Sequence, residues 1–318
     1  MKTNNKIISL SDAISKFVHN NSHICIGGFT LNRNPMAAVY EIIRQKIGGL
    51  HLYVHSNGQG ADELIGAGAV SKLELAYAGT GRFAPTCIRF AKAACAKSIL
   101  IEDYSNYQMT LRFMAGAMGV PFLPTTTSLG SDIIKKWGFS ADIRKQDKRL
   151  PADKLIVIDN PFEKEKRASK VVLVPAINPD IAIIHAQTAD SKGNVRIEGL
   201  TFSDTEQAKA AKHLIVTCEK IVAPEELKNN SGLNTLPHFC VDAVVEAPYG
   251  AYPTACFKRY DYDSEFLKMY EKYAKDDLLY SKYLDDYIYK TKDQADMLEK
   301  NIGNMRLCAL KADADKGY

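Results

Sequence analysis

The stretch Ile24-Cys25-Ile26-Gly27-Gly28-Phe29 decides how this chain is interpreted. An apolar run stops at two glycines and an aromatic residue, and Pro35 then stands where a helix can begin. Strand, glycine turn and helix in this order are typical of an open α/β protein. Because glycine has no side chain, such a turn lets backbone N–H groups approach a ligand. The stretch therefore predicts a strand that ends at a binding site.

Strand and helix patterns alternate along the rest of the chain. Strands are predicted at His23–Gly27, Leu50–His55, Leu73–Tyr77, Ser98–Ile101, Val171–Val174, Ile181–His185, Val195–Ile197, Leu214–Cys218 and Val241–Glu246. Helices are predicted from a cap at Ser11 or Asp12 to His19, and at Pro35–Lys46, Pro85–Ala96, Ser105–Met118 and Asp204–Lys212. This alternation predicts an α/β fold with an open, mostly parallel sheet and helices on both faces.

Strands recur on both sides of the charged stretch Asp147–Lys170, so we expect a single domain over residues 1–318. A helical C-terminal extension is predicted over residues 264–300, where the chain is charged and rich in tyrosine. Tyr273, Tyr280 and Tyr287 repeat every seven residues, which places them on one side of a continuous helix. Two interpretations are open: the tyrosines pack on the core of this chain, or they contact another subunit.

The composition indicates which kinds of partner the protein binds and which cellular compartment it occupies. A net charge of +4, from 41 basic and 37 acidic residues, is too small to indicate nucleic-acid binding. The start of the chain has no apolar core and no apolar run is long enough to cross a bilayer, so neither a secretory signal nor a membrane contact is expected. The seven cysteines form no C-x-x-C motif, which favours reduced thiols and a cytoplasmic protein. Nothing completes a metal site around the pairs His19/His23 and His51/His55.

Three loops that contain glycine follow predicted strand ends: Gly27-Gly28-Phe29, Ser56-Asn57-Gly58 and Gly79-Thr80-Gly81. Ligands bind outside the carboxyl ends of the strands in an open parallel sheet, so we expect the three loops to meet at one site. The dinucleotide, P-loop and G-x-S-x-G motifs are missing from the sequence, and no cysteine or serine is paired with a histidine at a defensible spacing. We therefore expect another protein to complete the site.

Several segments, spread in order along the chain, resemble the A (alpha) subunits of family I CoA-transferases. They are Ile24–Phe29 with Pro35, Glu102-Asp103-Tyr104-Ser105, Gly119–Pro124, Asp159–Phe162, Ile183–Gln187 with Gly193–Ile197, Val216–Glu219, and Cys240–Val245 with Ala247–Ala251. Within that family, the chain most resembles the alpha subunits of glutaconate CoA-transferases.

The resemblance implies a CoA-transferase fold, together with a B (beta) subunit that is the partner in a hetero-oligomer of αβ units. It also implies that no cofactor is permanently bound and that a coenzyme A thioester is a substrate. The B subunit of this family supplies a glutamate in a Ser-Glu-Asn-Gly motif, which carries CoA as a glutamyl-CoA intermediate. No catalytic residue is then expected in this chain. Its expected substrate-binding residues are Gly27, Gly28, Phe29, Ser56, Asn57, Gly58, Thr80, Gly81 and Arg82.

The absence of that glutamate from this chain agrees with the resemblance, because the second strand ends in His55-Ser56-Asn57-Gly58. Glu63 is expected to be a surface carboxylate, and Glu102 and His185 to be satisfied structural residues at strand ends. The backbone amides of Gly27–Phe29 or of Ser56–Gly58 are candidates to stabilise an oxyanion, and the alternative is that these loops only turn the chain.

Loop 78–84 departs from the family pattern, because Gly81 stands where the resembling subunits have a serine and Thr80 offers an alternative hydroxyl. Arg82 is a candidate to bind a substrate carboxylate and Phe83 to contact an apolar acyl chain, while Arg82 facing solvent or a CoA phosphate is an equal alternative. A substrate range different from glutaconate is therefore expected. Two other functions stay open: an acyl-CoA hydrolase or decarboxylase subunit on the same frame, and a non-catalytic ligand-sensing α/β domain.

Overall fold

The computed structural model describes residues 5–136, 138–163 and 169–313. The strands of this part of the chain are β1 His23–Ile26, β2 Leu50–Asn57, β3 Val70–Ala78, β4 Leu100–Asp103, β5 Phe122–Thr125, β6 Ile156–Asp159, β7 Lys170–Pro175, β8 Ile181–Asp190, β9 Val195–Arg196, β10 His213–Val222 and β11 Ala243–Glu246. The α-helices are α1 Leu10–Phe17, α2 Met36–Arg44, α3 Gln59–Gly66, α4 Ile88–Ala96, α5 Asn106–Met118, α6 Ala141–Gln146, α7 Asp204–Ala210, α8 Pro224–Asn229, α9 Ser264–Lys275, α10 Asp277–Leu284, α11 Gln294–Met297 and α12 Asn304–Ala309.

The main sheet has the order β11-β10-β8-β1-β2-β3-β4, and its neighbouring strands are parallel. Short β9 pairs with β8 in the antiparallel sense. The predicted open, mostly parallel sheet is confirmed. Strand β1 lies between β2 and β8. The strands β2 to β4 therefore extend the sheet on one side of β1, and β8, β10 and β11 extend it on the other. Crevices that bind ligands form at such a point, outside the carboxyl ends of the strands.

Helices cover both faces of the main sheet, as predicted. Successive residues of a strand point to opposite faces, and in β1 Ile24 and Ile26 join one buried cluster while Cys25 joins another. The first cluster packs with α1, α2, α3 and the C-terminal helices, and the second packs with α5 and α7. The central strands are therefore buried on both sides, which is why their sequences read as continuous apolar runs.

A second, small sheet was not predicted. Strands β5, β7 and β6 form it in that order, with antiparallel pairing. The strand expected at Val171–Val174 exists as β7, but it belongs to this small sheet. The stretch predicted as loop, Asp147–Lys170, contains β6, and residues 164–168 of it lie outside the described residues.

Two local predictions about helices were wrong. Ser9 caps α1, because its Oγ accepts a hydrogen bond from the N–H of Asp12, whereas Ser11 and Asp12 lie inside the helix. Helix α3, directly after Gly58, was missed because its sequence alternates small, polar and apolar residues over only eight positions. None of the helices described is long and apolar enough to cross a membrane.

The C-terminal extension over residues 264–300 is helical, as predicted, but it is not one helix. Helix α9 ends at Lys275, and the next residue, Asp276, has extended backbone angles and caps α10 with its side chain. Tyr280 is buried against the core of this chain, so the subunit-contact interpretation of this tyrosine is wrong and the core-packing alternative is confirmed. The single domain over residues 1–318 stays a prediction, and residues 1–4, 137, 164–168 and 314–318 of that range lie outside the described ones.

Candidate functional site

The three glycine loops meet at the carboxyl ends of β1, β2 and β3, which confirms the predicted convergence. The side-chain amide of Asn57 donates to the carbonyl of Gly27 at 3.0 Å, which joins the second loop to the first. Gly58 lies against the third loop so closely that a Cβ atom there would be 2.6 Å from the carbonyl oxygen of Gly79. The same Cβ would be 2.7 Å from the carbonyl oxygen of Thr30. Only glycine fits between these two backbones.

The amides of the first loop are already used inside the chain. The N–H groups donate at 2.8 Å each, from Gly27 to Ile183 O, from Gly28 to Asp204 Oδ1 and from Phe29 to Asn32 O. An N–H group that already makes a short hydrogen bond is not available to a ligand oxygen. This geometry disfavours the first of the two expected oxyanion sites. In the second loop, Ser56 and Asn57 belong to β2 and pair with Tyr77 and Ala78 of β3, and the oxyanion role of Ser56–Gly58 stays a prediction.

A buried ion pair holds the first loop in place. The Arg33 guanidinium lies 2.6 Å from Asp204 Oδ2, and the other oxygen of the same carboxylate accepts the Gly28 N–H. Arg33 also donates to the carbonyls of His185 and Leu200. Burial raises the pKa of Asp204, while the charge of Arg33 opposes that shift. Sequence reasoning missed this anchor, because Arg33 and Asp204 are 171 residues apart and neither belongs to a motif.

Aromatic side chains border the loops. Phe29 and Phe202 stack with ring centroids 5.1 Å apart, and the His55 ring lies 5.9 Å from that of Phe29. All three side chains are half-buried, so they offer an apolar surface at the mouth of the site. Burial lowers the pKa of His55, which favours the neutral imidazole near pH 7. Phe202 was not among the predicted residues, since it lies in a loop with no recognisable motif.

A cavity of about 220 Å³ lies beside this aromatic surface and shares Phe202 with it. Arg33, Phe257 and Tyr260 also line it, together with Glu198. Glu198 is paired with Arg259 at 3.3 Å and with Lys258 at 3.6 Å. The cavity is thus apolar on its aromatic walls and charged at one side.

The buried residues of the second loop are tied to helix α5. The Ser56 hydroxyl donates to Asn106 Oδ1 at 2.7 Å, and Asn106 is exposed at the first position of α5. The third loop is closed on itself, since Thr80 and Ala84 exchange hydrogen bonds. Gly81, at the tip of that loop, is exposed. The structure therefore brings the three predicted loops together, whereas Gly81 and Arg82 lie exposed at the tip of the third, and the binding role of all nine predicted residues stays a prediction.

The side chains after Gly81 point away from the loops. Phe83 is buried with Leu31 and Leu267, so the expectation that it contacts an acyl chain is wrong. It fills a gap in this chain, where an apolar ring gains more from burial than from exposure at a loop tip. Arg82 is exposed, and its guanidinium donates to the Tyr262 hydroxyl at 2.9 Å.

Glu63 is buried, so its predicted surface position is wrong. Its carboxylate accepts hydrogen bonds from Gln59 Nε2 at 2.8 Å and from the hydroxyls of Tyr40 and Tyr283. Burial raises the pKa of Glu63 to about 8, although these donors oppose the shift. Helix α3, which was not predicted, turns the residue inward.

The side chains of Glu102 and His185 are satisfied within this chain, as predicted. The Glu102 carboxylate accepts from the Tyr104 hydroxyl at 2.6 Å and the Phe139 N–H at 2.8 Å, and it also pairs with Arg144. Both ring nitrogens of His185 have partners at 2.8 Å, Thr217 Oγ1 and Glu219 Oε1. These contacts satisfy every buried polar atom that either side chain presents.

The histidines form none of the pairs suggested by their spacing. Instead His23 and His51 pack with ring centroids 4.3 Å apart, next to Asp147. Tyr53 and Asp147 occupy the two ring nitrogens of His23, and Glu74 lies 2.9 Å from His51 Nε2. Burial lowers the pKa of His23 to about 4. At the amino ends of β1 and β2, the two ring nitrogens of His23 have hydrogen-bonding partners, whereas both ring nitrogens of His51 are buried without one among the described residues.

Comparison with known proteins agrees with this architecture. The family model described as Coenzyme A transferase matches residues 7–247. The alpha subunit of the glutaconate CoA-transferase of Acidaminococcus fermentans is 42% identical over 313 residues, covering 98% of this chain and 97% of the relative. The crystal structure of glutaconate coenzyme A-transferase from the same organism superposes with a TM-score of 0.94, covering 98% of each chain at 42% identity.

A second relative acts on another acid. The alpha subunit of the 3-oxoadipate CoA-transferase of Pseudomonas knackmussii is 32% identical over 297 residues, covering 93% of this chain and 98% of the relative. Both relatives are thus similar to this chain over nearly their whole length.

Proposed function

This chain belongs to the coenzyme A transferase family, and we propose that it is the alpha subunit of a two-subunit enzyme that transfers CoA between an acyl-CoA and a short carboxylic or dicarboxylic acid. The near full-length similarity to the alpha subunit of glutaconate CoA-transferase carries the proposal. The composition of the site supports it, because the loop at the end of β2 has no carboxylate of its own. The nucleophile is then supplied by the partner B subunit.

The proposed reaction conserves the energy of the thioester. The partner's glutamate attacks the acyl-CoA carbonyl, which releases the CoA thiolate and forms a mixed anhydride between the acyl group and the glutamyl carboxylate. The thiolate attacks the glutamyl carbonyl of that anhydride, which frees the first acid and leaves glutamyl-CoA. The second acid then passes through the same steps in reverse and leaves as its CoA thioester. No electrons are exchanged with an oxidant or reductant, and the partner's carboxylate is regenerated.

In the proposed enzyme, this chain binds the substrates and stabilises negative charge. Each attack on a carbonyl creates an oxyanion, which backbone N–H groups stabilise. Helix α3 begins directly after Gly58, and the amino end of a helix carries partial positive charge. This supports an oxyanion role for the loop Ser56–Gly58. The aromatic surface of Phe29 and Phe202 and its neighbouring cavity suit the carbon chain of the acyl group.

The remaining assignments follow from the same proposal. Coenzyme A enters as a thioester substrate and no cofactor is permanently bound. The partner is a B-type subunit, so the assembly is a hetero-oligomer of αβ units. Reduced cysteines support a cytoplasmic location, with all seven thiols of the chain free.

The test is a reconstitution. The purified chain should exchange no CoA between acetyl-CoA and a panel of acids, and exchange should appear when a B-type chain with the Ser-Glu-Asn-Gly motif is added. A B-type chain with that glutamate changed to glutamine is the control and should assemble without activity. Transfer by the isolated chain would contradict its role as the half without the nucleophile. Release of free acid or CO₂ without a new thioester would favour the hydrolase or decarboxylase alternative.

A further inference from the structure

One face of the small sheet is apolar and open to solvent. Residues directly opposite each other in antiparallel strands point to the same side of a sheet. Pro124, Leu173 and Ile156 form one such row, Phe122 is opposite Pro175, and Ile158 continues the surface along β6. Phe122 is 44% exposed and Ile156 is 47% exposed. The opposite face is different, because Val172 and Val174 of β7 are fully buried in the core.

Helix α5 carries a second group of exposed apolar residues and begins beside the candidate site. Its exposed large apolar residues are Tyr107, Met114 and Met118, at spacings of seven and four residues that place them on one side of the helix. Helix α5 ends at Met118, and Phe122 follows at the start of β5. At the other end, Asn106 contacts the Ser56 hydroxyl. We call these exposed apolar residues, Tyr107, Met114 and Met118 with the outer face of the small sheet, the α5–sheet surface.

The α5–sheet surface is large for a protein that works alone. A fully exposed large apolar side chain offers roughly 200 Å² of accessible surface, and six such residues here are each about half exposed. Together they present on the order of 600 Å² of apolar surface. That is the upper end of the apolar patches found on monomers, at about 300–600 Å². A stable interface buries about 800 Å² on each partner, of which somewhat more than half is apolar. The patch is therefore sufficient for a stable interface.

We propose that the α5–sheet surface is where the partner B subunit docks; this rests on the proposed function. The site loops have no nucleophile of their own, so the partner must reach them. A partner seated along α5 would lie beside Asn106 and Ser56 and would bring its glutamate to the loops. A second copy of this chain on the same surface would bring no carboxylate nucleophile, because its corresponding loop is also Ser56-Asn57-Gly58.

The test compares two exposed methionines. Met118→Lys places a charge on the α5–sheet surface, and Met305→Lys places the same charge on α12, where Met305 is 91% exposed. Both charges are solvated in the isolated chain, so both variants should fold as the original chain does, checked by circular dichroism and thermal melting. Burying an unpaired charge at an interface is costly, so Met118→Lys should raise the dissociation constant for the B-type chain at least tenfold. Met305→Lys should leave that constant unchanged.

A second measurement keeps the proposal testable if the variant is poorly folded. Hydrogen exchange on the original chain, alone and in complex, should show new protection over residues 107–118 and 156–159. Unchanged affinity of a folded Met118→Lys variant, or no protection in these segments, would overturn the proposal. Self-association that Met118→Lys abolishes, with heteromer formation intact, would assign the surface to a second copy and also overturn it.

Separate measurements of complex formation and of CoA transfer distinguish this proposal from the proposed function. A complex with the expected protection that transfers no CoA would contradict the function and support the surface. A complex that transfers CoA and shows protection elsewhere would support the function and overturn the surface. No association between the original chain and the B-type chain would overturn both.

Discussion

Tyr283 donates its hydroxyl to the carboxylate of Glu63, at 3.0 Å from one oxygen and 2.9 Å from the other, across 220 residues of sequence. Beside this contact, the Tyr270 hydroxyl lies 2.9 Å from Asp62 Oδ2. Both carboxylates belong to α3, which begins directly after Gly58. The C-terminal helices therefore hold the helix that follows the second site loop. This connection gives the tyrosines of the C-terminal extension a definite role in the fold.

The Glu63 carboxyl should make stability depend on pH. Its pKa is about 8 in the folded chain against an ordinary value of 4.5, so the unfolded chain loses the proton first as the pH rises. The contribution of this carboxyl to stability is complete below pH 4.5 and falls by roughly 1 kcal/mol per pH unit until the pH reaches about 8. We expect the unfolding free energy of the original chain minus that of Glu63→Gln, measured by urea titration at pH 6, 7 and 8, to decrease in this sense.

Glu63→Gln is the matched variant, because glutamine has the same shape and no titratable proton. Asp62 has its pKa raised to about 6 and changes stability mainly below the chosen window. The slope between pH 6 and 8 should therefore be smaller in Glu63→Gln than in the original chain. Equal slopes in the two proteins would show that the Glu63 carboxyl is not held neutral.

Tyr280→Ala should lower stability and leave assembly intact. Tyr280 is 2% exposed, and the Arg89 guanidinium packs 4.3 Å from its ring centroid. Removing a buried aromatic side chain leaves a cavity and costs about 3–5 kcal/mol. Leu278→Ala is the control on the same helix, at a residue 83% exposed, and should change the unfolding free energy by less than about 0.5 kcal/mol. Weaker assembly of Tyr280→Ala at unchanged melting temperature would contradict the core position.

Gly58→Ala should impair activity through the geometry of the loops. The new Cβ would lie 2.6 Å from Gly79 O and 2.7 Å from Thr30 O, so the loops must separate. A displacement of this size at a reacting centre costs on the order of 100-fold in rate. Gly48→Ala is the control, since its Cβ would have no atom within 4 Å. Full activity of Gly58→Ala in the reconstituted complex would remove the loop Ser56–Gly58 from the site.

Arg82→Ala separates the two interpretations of that side chain. If the guanidinium binds the acid, KM for the acid should rise roughly 10–100-fold, because a charge-assisted hydrogen bond is worth about 1.5–3 kcal/mol. If it binds a CoA phosphate, KM for the acyl-CoA should rise instead. Tyr262→Phe is the control, since it removes only the hydroxyl that accepts from Arg82. A preference for glutaconate that is unaltered by Arg82→Ala would contradict a role in substrate choice.

The sequence predicted the main sheet well because its strands are buried on both faces. Burial on both sides requires uninterrupted apolar runs, and the runs at β1, β8 and β10 are visible without a structure. Helix α3 and the strands β5 and β6 were missed because they are short. Helix α3 mixes small, polar and apolar residues over eight positions, and β5 and β6 have four residues each, so no clear period of hydrophobicity marks them.

For the site, the sequence by itself determined that three glycine loops follow strand ends and that the second has serine and asparagine where a nucleophile would stand. Parallel strands align their carboxyl ends, so convergence of these loops followed from local pattern alone. Only the tertiary structure decided that the Gly27–Phe29 amides are occupied, that Asp204 anchors Gly28, and that Glu63 is buried under Tyr283. The reason is physical: the partners Ile183, Asp204 and Tyr283 lie more than 150 positions from Gly27, Gly28 and Glu63, and such distances leave no periodic trace in a sequence.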